Sequence, residues 1–142
     1  MRGVVGRHFH TVTPQPRVLL HEHDPIVAWL LVEVFADEGI EVLRCASLDE
    51  INIALREHPH AIVVSDPWSR SSTRPDLSDD ERDTIADLAA RARLILTTTR
   101  QWALQSEDLS LGDSVTVIPK PFDLDILLRA VRRPTARLEQ SA

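Results

Sequence analysis

"RVLLHEHDPIVAWL", residues 17–30, decides the fold. It opens with a short run, Val18-Leu19-Leu20, of a length and character suited to a strand buried on both faces. Asp24-Pro25 then reads as a helix start, an N-cap aspartate followed by a proline in the first turn. Beyond it Ile26, Val27, Leu30, Leu31, Val34 and Phe35 recur at helical spacing, until Gly39 stops the helix. A buried strand feeding an amphipathic helix is one half of a βαβ unit, and the rest of the chain repeats it. "EVLRCA" (41–46), "AIVV" (61–64), "RLILTT" (93–98) and "SVTVI" (114–118) are strand-like. Between and after them lie helical stretches at "LDEINIALREH", "SDDERDTIADLAARA" and "DLDILLRAVRR", with a weaker one around residues 102–109. Ser47 is the expected cap of the first of these. Five short strands alternating with about five helices predict a doubly wound parallel α/β sheet with helices on both faces.

The domain expected is residues 17–133, with a flexible arm at 1–16 ending in "TPQP" and a short tail at 134–142. The 142 residues suit one such domain, and 43% hydrophobic content supplies its core. A net charge of -6 argues against a nucleic-acid partner, which calls for a basic face. No apolar run approaches the roughly 20 residues of a membrane span. Residues 1–12 lack the apolar core of a secretory signal. The single cysteine, Cys45, rules out a disulfide framework and fits a reducing cytoplasm, where it packs as a small hydrophobe.

Right-handed crossovers put the C-termini of all five strands on one edge of the sheet, where ligands of such folds bind. The first strand brings Glu22, His23 and Asp24 there, the third Ser65 and Asp66, the fourth Thr97 and Thr98, the fifth Lys120. Clustered carboxylates suit a hard divalent cation, and an ammonium with a hydroxyl suits a phosphoryl group. No glycine-rich phosphate loop or nucleotide fingerprint accompanies them.

With these residues in place, the sequence resembles the receiver domain of bacterial two-component response regulators, a flavodoxin-like fold of the CheY superfamily. The resemblance covers residues 17 to about 133. It rests on Glu22-His23-Asp24-Pro25, the Ser65-Asp66 end of "AIVVSD", Leu96-Thr97-Thr98, and "IPKPF" followed by "DLDILLRAV". It implies Asp66 as the phosphoryl acceptor, attacking a histidine kinase's phosphohistidine. It implies Thr97 as the hydroxyl that bonds the phosphoryl group and Lys120 as its ammonium partner, before a cis bond to Pro121. Glu22 and His23 fall at the acidic pair that, with Asp66, holds Mg2+. The pocket departs from the family at several positions. His23 replaces a carboxylate, and Glu22 is one methylene longer than the usual aspartate. Pro67-Trp68-Ser69-Arg70 replaces Met-Pro-Gly, with Trp68 expected beside the pocket, and Val117 stands where an aromatic switch residue is usual.

Two functional classes follow. One is a stand-alone signalling domain, not an enzyme, that takes phosphate at Asp66 from a histidine kinase or phosphotransfer protein and acts through a downstream protein. The other is a phosphate-independent interaction module that has kept the fold and lost the switch. A homodimer would use the face carrying Trp102, Leu104, Arg129, Arg132 and Arg133. Three His-x-His pairs (His8/His10, His21/His23, His58/His60) suggest zinc, but the fold keeps them apart, so no zinc–histidine site is expected from them. Asp24 is expected chiefly to cap its helix, and Trp29 and Trp102 to pack.

Overall fold

β1 (Arg17–Glu22) lies at the heart of a five-stranded sheet with β2 (Glu41–Arg44), β3 (Ile62–Asp66), β4 (Arg93–Thr98) and β5 (Val115–Pro119). All neighbouring pairs are parallel, in the order β2-β1-β3-β4-β5. The computed structural model describes residues 16–68, 77–100, 102–104 and 111–133. The expected arm and tail, the His8/His10 pair and most of the 67–78 loop lie outside the described residues. So does the second half of the helix expected at 102–109, of which a single 3-10 turn at 102–104 is described.

Among the described residues four helices cover the sheet: α1 (Pro25–Asp37), α2 (Leu48–Glu57), α3 (Asp79–Ala89) and α4 (Leu124–Arg132). Alternation along the strands sorts the core into two clusters. Val18, Leu20, Ile62, Val64, Ile95 and Ile118 pack with Leu31 and Phe35 of α1 and Leu127 and Val131 of α4. Leu19, Val63, Leu94 and Leu96 pack on the other face with Ile51 and Leu55 of α2 and Ile85 and Leu88 of α3. The doubly wound architecture expected from the alternation is the one observed.

Each helix start is fixed by a side chain that its sequence supplies. Asp24 Oδ1 accepts from the N–H groups of Ile26 (2.9 Å) and Val27 (3.3 Å), as expected of a cap. Ser47 Oγ accepts from Glu50 N at 3.2 Å. Ser78 and Glu81 form a reciprocal capping box. The end of α1 is equally defined. Ile40 N–H reaches back to Phe35 O and Gly39 N–H to Ala36 O, with Gly39 at φ 74°. This is a Schellman closure, and buried Ile40 joins Phe35 in the core. A Cβ at residue 39 would meet nothing within 4 Å, so a side chain there has only its backbone conformation against it. Gly39→Ala should therefore lower stability by about 1 kcal/mol, and Gly39→Asn by less, since asparagine tolerates left-handed backbone. Urea denaturation distinguishes the two; equal losses would remove the conformational explanation.

Two sequence expectations about α1 are corrected. Ile26 (77% exposed) and Leu30 face solvent rather than the core, and so does Trp29 (62% exposed). The inner stripe is Ala28, Leu31 and Phe35, since small Ala28 lets the helix approach the sheet closely. Trp102, offered as part of a dimer face, is 2% exposed and packs in the α2/α3 cluster; Leu104 beside it is exposed.

Candidate functional site

The strands run further than their apolar runs. β1 continues two residues past Leu20 to Glu22, and β3 two past Val64 to Asp66. The polar ends stay in the ladder, pairing His21 with Ser65 and Glu22 with Asp66. Backbone pairing thus sets two carboxylates side by side on rigid strand ends, and both are buried. Alternation sends Glu22 and Asp66 to the face of Leu20 and Val64, which α1 and α4 cover. Ser65 and His21 point the other way, Ser65 Oγ lying 3.1 Å from His21 Nδ1.

Lys120 follows β5 and joins a cis peptide bond to Pro121. Its Nζ donates to Glu22 Oε1 at 2.6 Å and to Asp66 Oδ2 at 2.8 Å. The Lys120 side chain is 13% exposed, so it forms a largely desolvated bridge between two buried carboxylates. Burial pushes the Asp66 carboxyl above its usual range, and Lys120 pulls it part of the way back. Glu22 Oε2 accepts from Asp24 N at 3.0 Å, which holds the carboxylate in place where the chain turns into α1. His23 Nδ1 lies 3.5 Å from Glu22 Oε2 and 3.6 Å from Asp66 Oδ2. Thr97 is buried one residue beyond the Ser65–Leu96 pair, which puts it next to Asp66 in the sheet.

The structure therefore brings Glu22, His23, Asp66 and Lys120 into contact, with Thr97 on the adjoining strand. Trp68 goes elsewhere than expected. It packs against the α2/α3 cluster, edge-on to Trp102 with ring centroids 5.5 Å apart, and Arg100 lies over its ring. Arg100 also meets buried Glu81, the capping-box residue of α3, at 3.2 Å. The sequence reading missed this link between the start of α3 and the segment after β4. The capping-box spacing was its one legible sign. Val117 is partly buried in the same cluster. His58, before β3, pairs with Arg17 at the start of β1, far along the strands from His23. It belongs to the opposite edge, as expected.

The donor set suits Mg2+ poorly. Two carboxylates and one imidazole converge, while Mg2+ demands oxygen ligands in near-ideal octahedral geometry. With a neutral imidazole, the two carboxylates and Lys120 leave the pocket a charge of about -1, a weak pull on a strongly hydrated ion.

No protein-family model matches the sequence, and no curated protein does. Solved structures do match. The chemotaxis protein CheY4 of Vibrio cholerae is 17% identical, with a TM-score of 0.61 over 84% of this chain and 98% of that one. The signal receiver domain of a putative Luxo repressor protein from Vibrio parahaemolyticus is 24% identical, with a TM-score of 0.59 over 90% and 97%. A CheY-like receiver domain protein from Methanospirillum hungatei is 19% identical, with a TM-score of 0.57 over 82% and 91%. With the strand order and the helices on both faces, these matches give the chain the CheY-like fold of response regulator receiver domains.

Proposed function

We propose that this chain is a receiver domain that accepts a phosphoryl group at Asp66 and passes the signal on through protein contact. The carrying observation is Lys120 Nζ, bonded to both Glu22 and Asp66 at the C-terminal edge of the sheet. An Asp66 carboxylate oxygen would attack the phosphorus of a phosphohistidine on a histidine kinase or phosphotransfer protein. The P–N bond breaks as the acyl phosphate forms, and the departing imidazole takes up a proton. Lys120 offsets the charge that develops on the transferred oxygens, and Thr97 supplies a hydroxyl beside them. Acetyl phosphate and phosphoramidate are small donors for the same attack. Incubation with either should add the mass of one phosphoryl group, and Asp66→Asn should remove that addition. Burial holds part of Asp66 protonated above the ordinary carboxylate pKa, so labelling should slow as pH falls through that raised value. Label that persists in Asp66→Asn would overturn the assignment.

A second reading, the phosphate-independent interaction module, is favoured by His23 in the pocket and by Val117 at the switch position. Absence of label with every donor and divalent ion would select it. In both readings the partners are proteins. Among the described residues no helix is long and apolar enough to cross a membrane. For a homodimer, exposed Leu104 remains as a contact without Trp102, whereas Arg129 and Arg132 line a cavity with Glu38 at the end of α1.

A further inference from the structure

His23 is the pocket residue that the fold itself does not call for. Its side chain is 29% exposed, it lies beyond the last residue of β1, and Asp24 performs the capping of α1. Its Nδ1 nevertheless faces carboxylate oxygens from two strands, at 3.5 Å and 3.6 Å. Those separations exceed an N–H···O hydrogen bond, which lies at about 2.7–3.2 Å. They match something else. Two donor atoms bound at about 2.0–2.1 Å to one tetrahedral ion stand about 3.4 Å apart. One donor atom each from Glu22, His23 and Asp66 falls within 4.8 Å of the others.

We propose that this pocket takes a borderline first-row divalent ion of the Zn2+ class in place of Mg2+. Its ligands are His23 Nδ1, Glu22 Oε2 and a carboxylate oxygen of Asp66. Imidazole nitrogen suits Zn2+ and its neighbours, whereas Mg2+ selects oxygen. The lone pairs allow it. Glu22 Oε2 and Asp66 Oδ2 each accept one hydrogen bond, from Asp24 N and Lys120 Nζ, and a carboxylate oxygen has room for a second partner. The same two bonds hold the ligands from outside, as second-shell groups do in metal sites. Ligation through Nδ1 puts the imidazole proton on Nε2. The partial exposure of His23 leaves a way in and a fourth position for water or a phosphoryl oxygen. This site takes one imidazole with two carboxylates, so it needs no convergence of the separated His-x-His pairs on which the expectation against zinc rested.

The inference rests on the pocket of the proposed function but not on phosphorylation. Calorimetric titration of the full chain should show Zn2+ binding about 100-fold or more tighter than Mg2+. His23→Ala should weaken Zn2+ by about 10-fold or more and leave Mg2+ unchanged, while His58→Ala should change neither. Co2+, a visible probe for the same donors, should give absorption bands that His23→Ala removes. In the unaltered protein, the His23 ring nitrogens should shift on Zn2+ addition, a readout independent of whether a variant folds. Zn2+ no tighter than Mg2+, or full Zn2+ affinity in His23→Ala, or unmoved His23 resonances would each overturn the inference. Zn2+ held at His23 with no label at Asp66 under any condition would sink the proposed function alone. Label without any Zn2+ preference would sink the metal assignment alone.

Discussion

Lys120→Met is expected to lower the stability of the fold by about 3 kcal/mol near neutral pH, the range for breaking a buried ion pair from one side. Methionine keeps an unbranched apolar stem like that of the lysine and lacks its terminal nitrogen, so the loss is mainly electrostatic rather than a cavity. Glu22 and Asp66 are almost fully buried and share this one ammonium. Without it they face each other unpaired in a desolvated place. The Asp24 N–H on Glu22 and the nearby His23 do not replace a full positive charge, so a proton is the main relief. Asp66 already has a raised pKa from burial, opposed by Lys120, so removing the lysine moves it further up. A carboxyl whose folded pKa exceeds its unfolded one stabilises the fold fully below the unfolded value, about 4. That contribution is lost as pH rises through the folded value. The deficit of Lys120→Met should accordingly be small at pH 4 and grow to its full size towards pH 7. Urea denaturation at several pH values measures it, and a deficit independent of pH would show that lost packing is responsible. In an Asp66→Asn background the same substitution should be milder, because one of the two stranded charges is gone.

His23→Asp should turn the pocket into an all-oxygen site and strengthen Mg2+ binding by about 10-fold or more, since ligand type and charge count govern affinity for hard cations. Three carboxylates would then face one ammonium, so the metal-free variant should be less stable than the parent. Mg2+ should restore it by mass action, raising the melting temperature of the variant and barely moving that of the parent. Faster labelling by acetyl phosphate should accompany the tighter binding if Asp66 is the acceptor. Calorimetry against Mg2+ decides the matter. A variant that binds Mg2+ no better than the parent would mean that residue 23 does not face the ion's place.

Much of the fold could be read along the chain, because a parallel sheet covered on both faces leaves wholly apolar runs that few other structures produce. Val18-Leu19-Leu20, Ile62-Val63-Val64 and Leu94-Ile95-Leu96 announce themselves this way. The caps at Asp24 and Ser47 were legible too, since each bonds its own next turn, and a contact two or three residues away needs no tertiary information. Which side of α1 faces the core was not. Ile26, Val27, Trp29, Leu30, Leu31, Val34 and Phe35 leave almost no polar face, so periodicity could not fix the rotation of the helix. Packing chose Ala28, Leu31 and Phe35, and left Ile26, Trp29 and Leu30 outside.

The site divides in the same way. Sequence alone determined which residues arrive at the C-terminal edge, because strand ends and right-handed crossovers leave little choice. It named Glu22, His23, Asp66, Thr97 and Lys120 before any contact was known. The tertiary structure decided how they meet. Only the pairing of Glu22 with Asp66 across β1 and β3 puts both carboxylates on one face, and a shift of one residue would have put Ser65 there instead. Only that pairing lets one ammonium bridge residues 98 and 54 positions away, and sets His23 Nδ1 between the same carboxylates. It also turned Trp68 to the opposite face, towards Trp102 and Arg100. The physical reason is range. Apolar periodicity and capping act within a few residues, whereas the register between strands is set by the packing of both faces of the sheet at once.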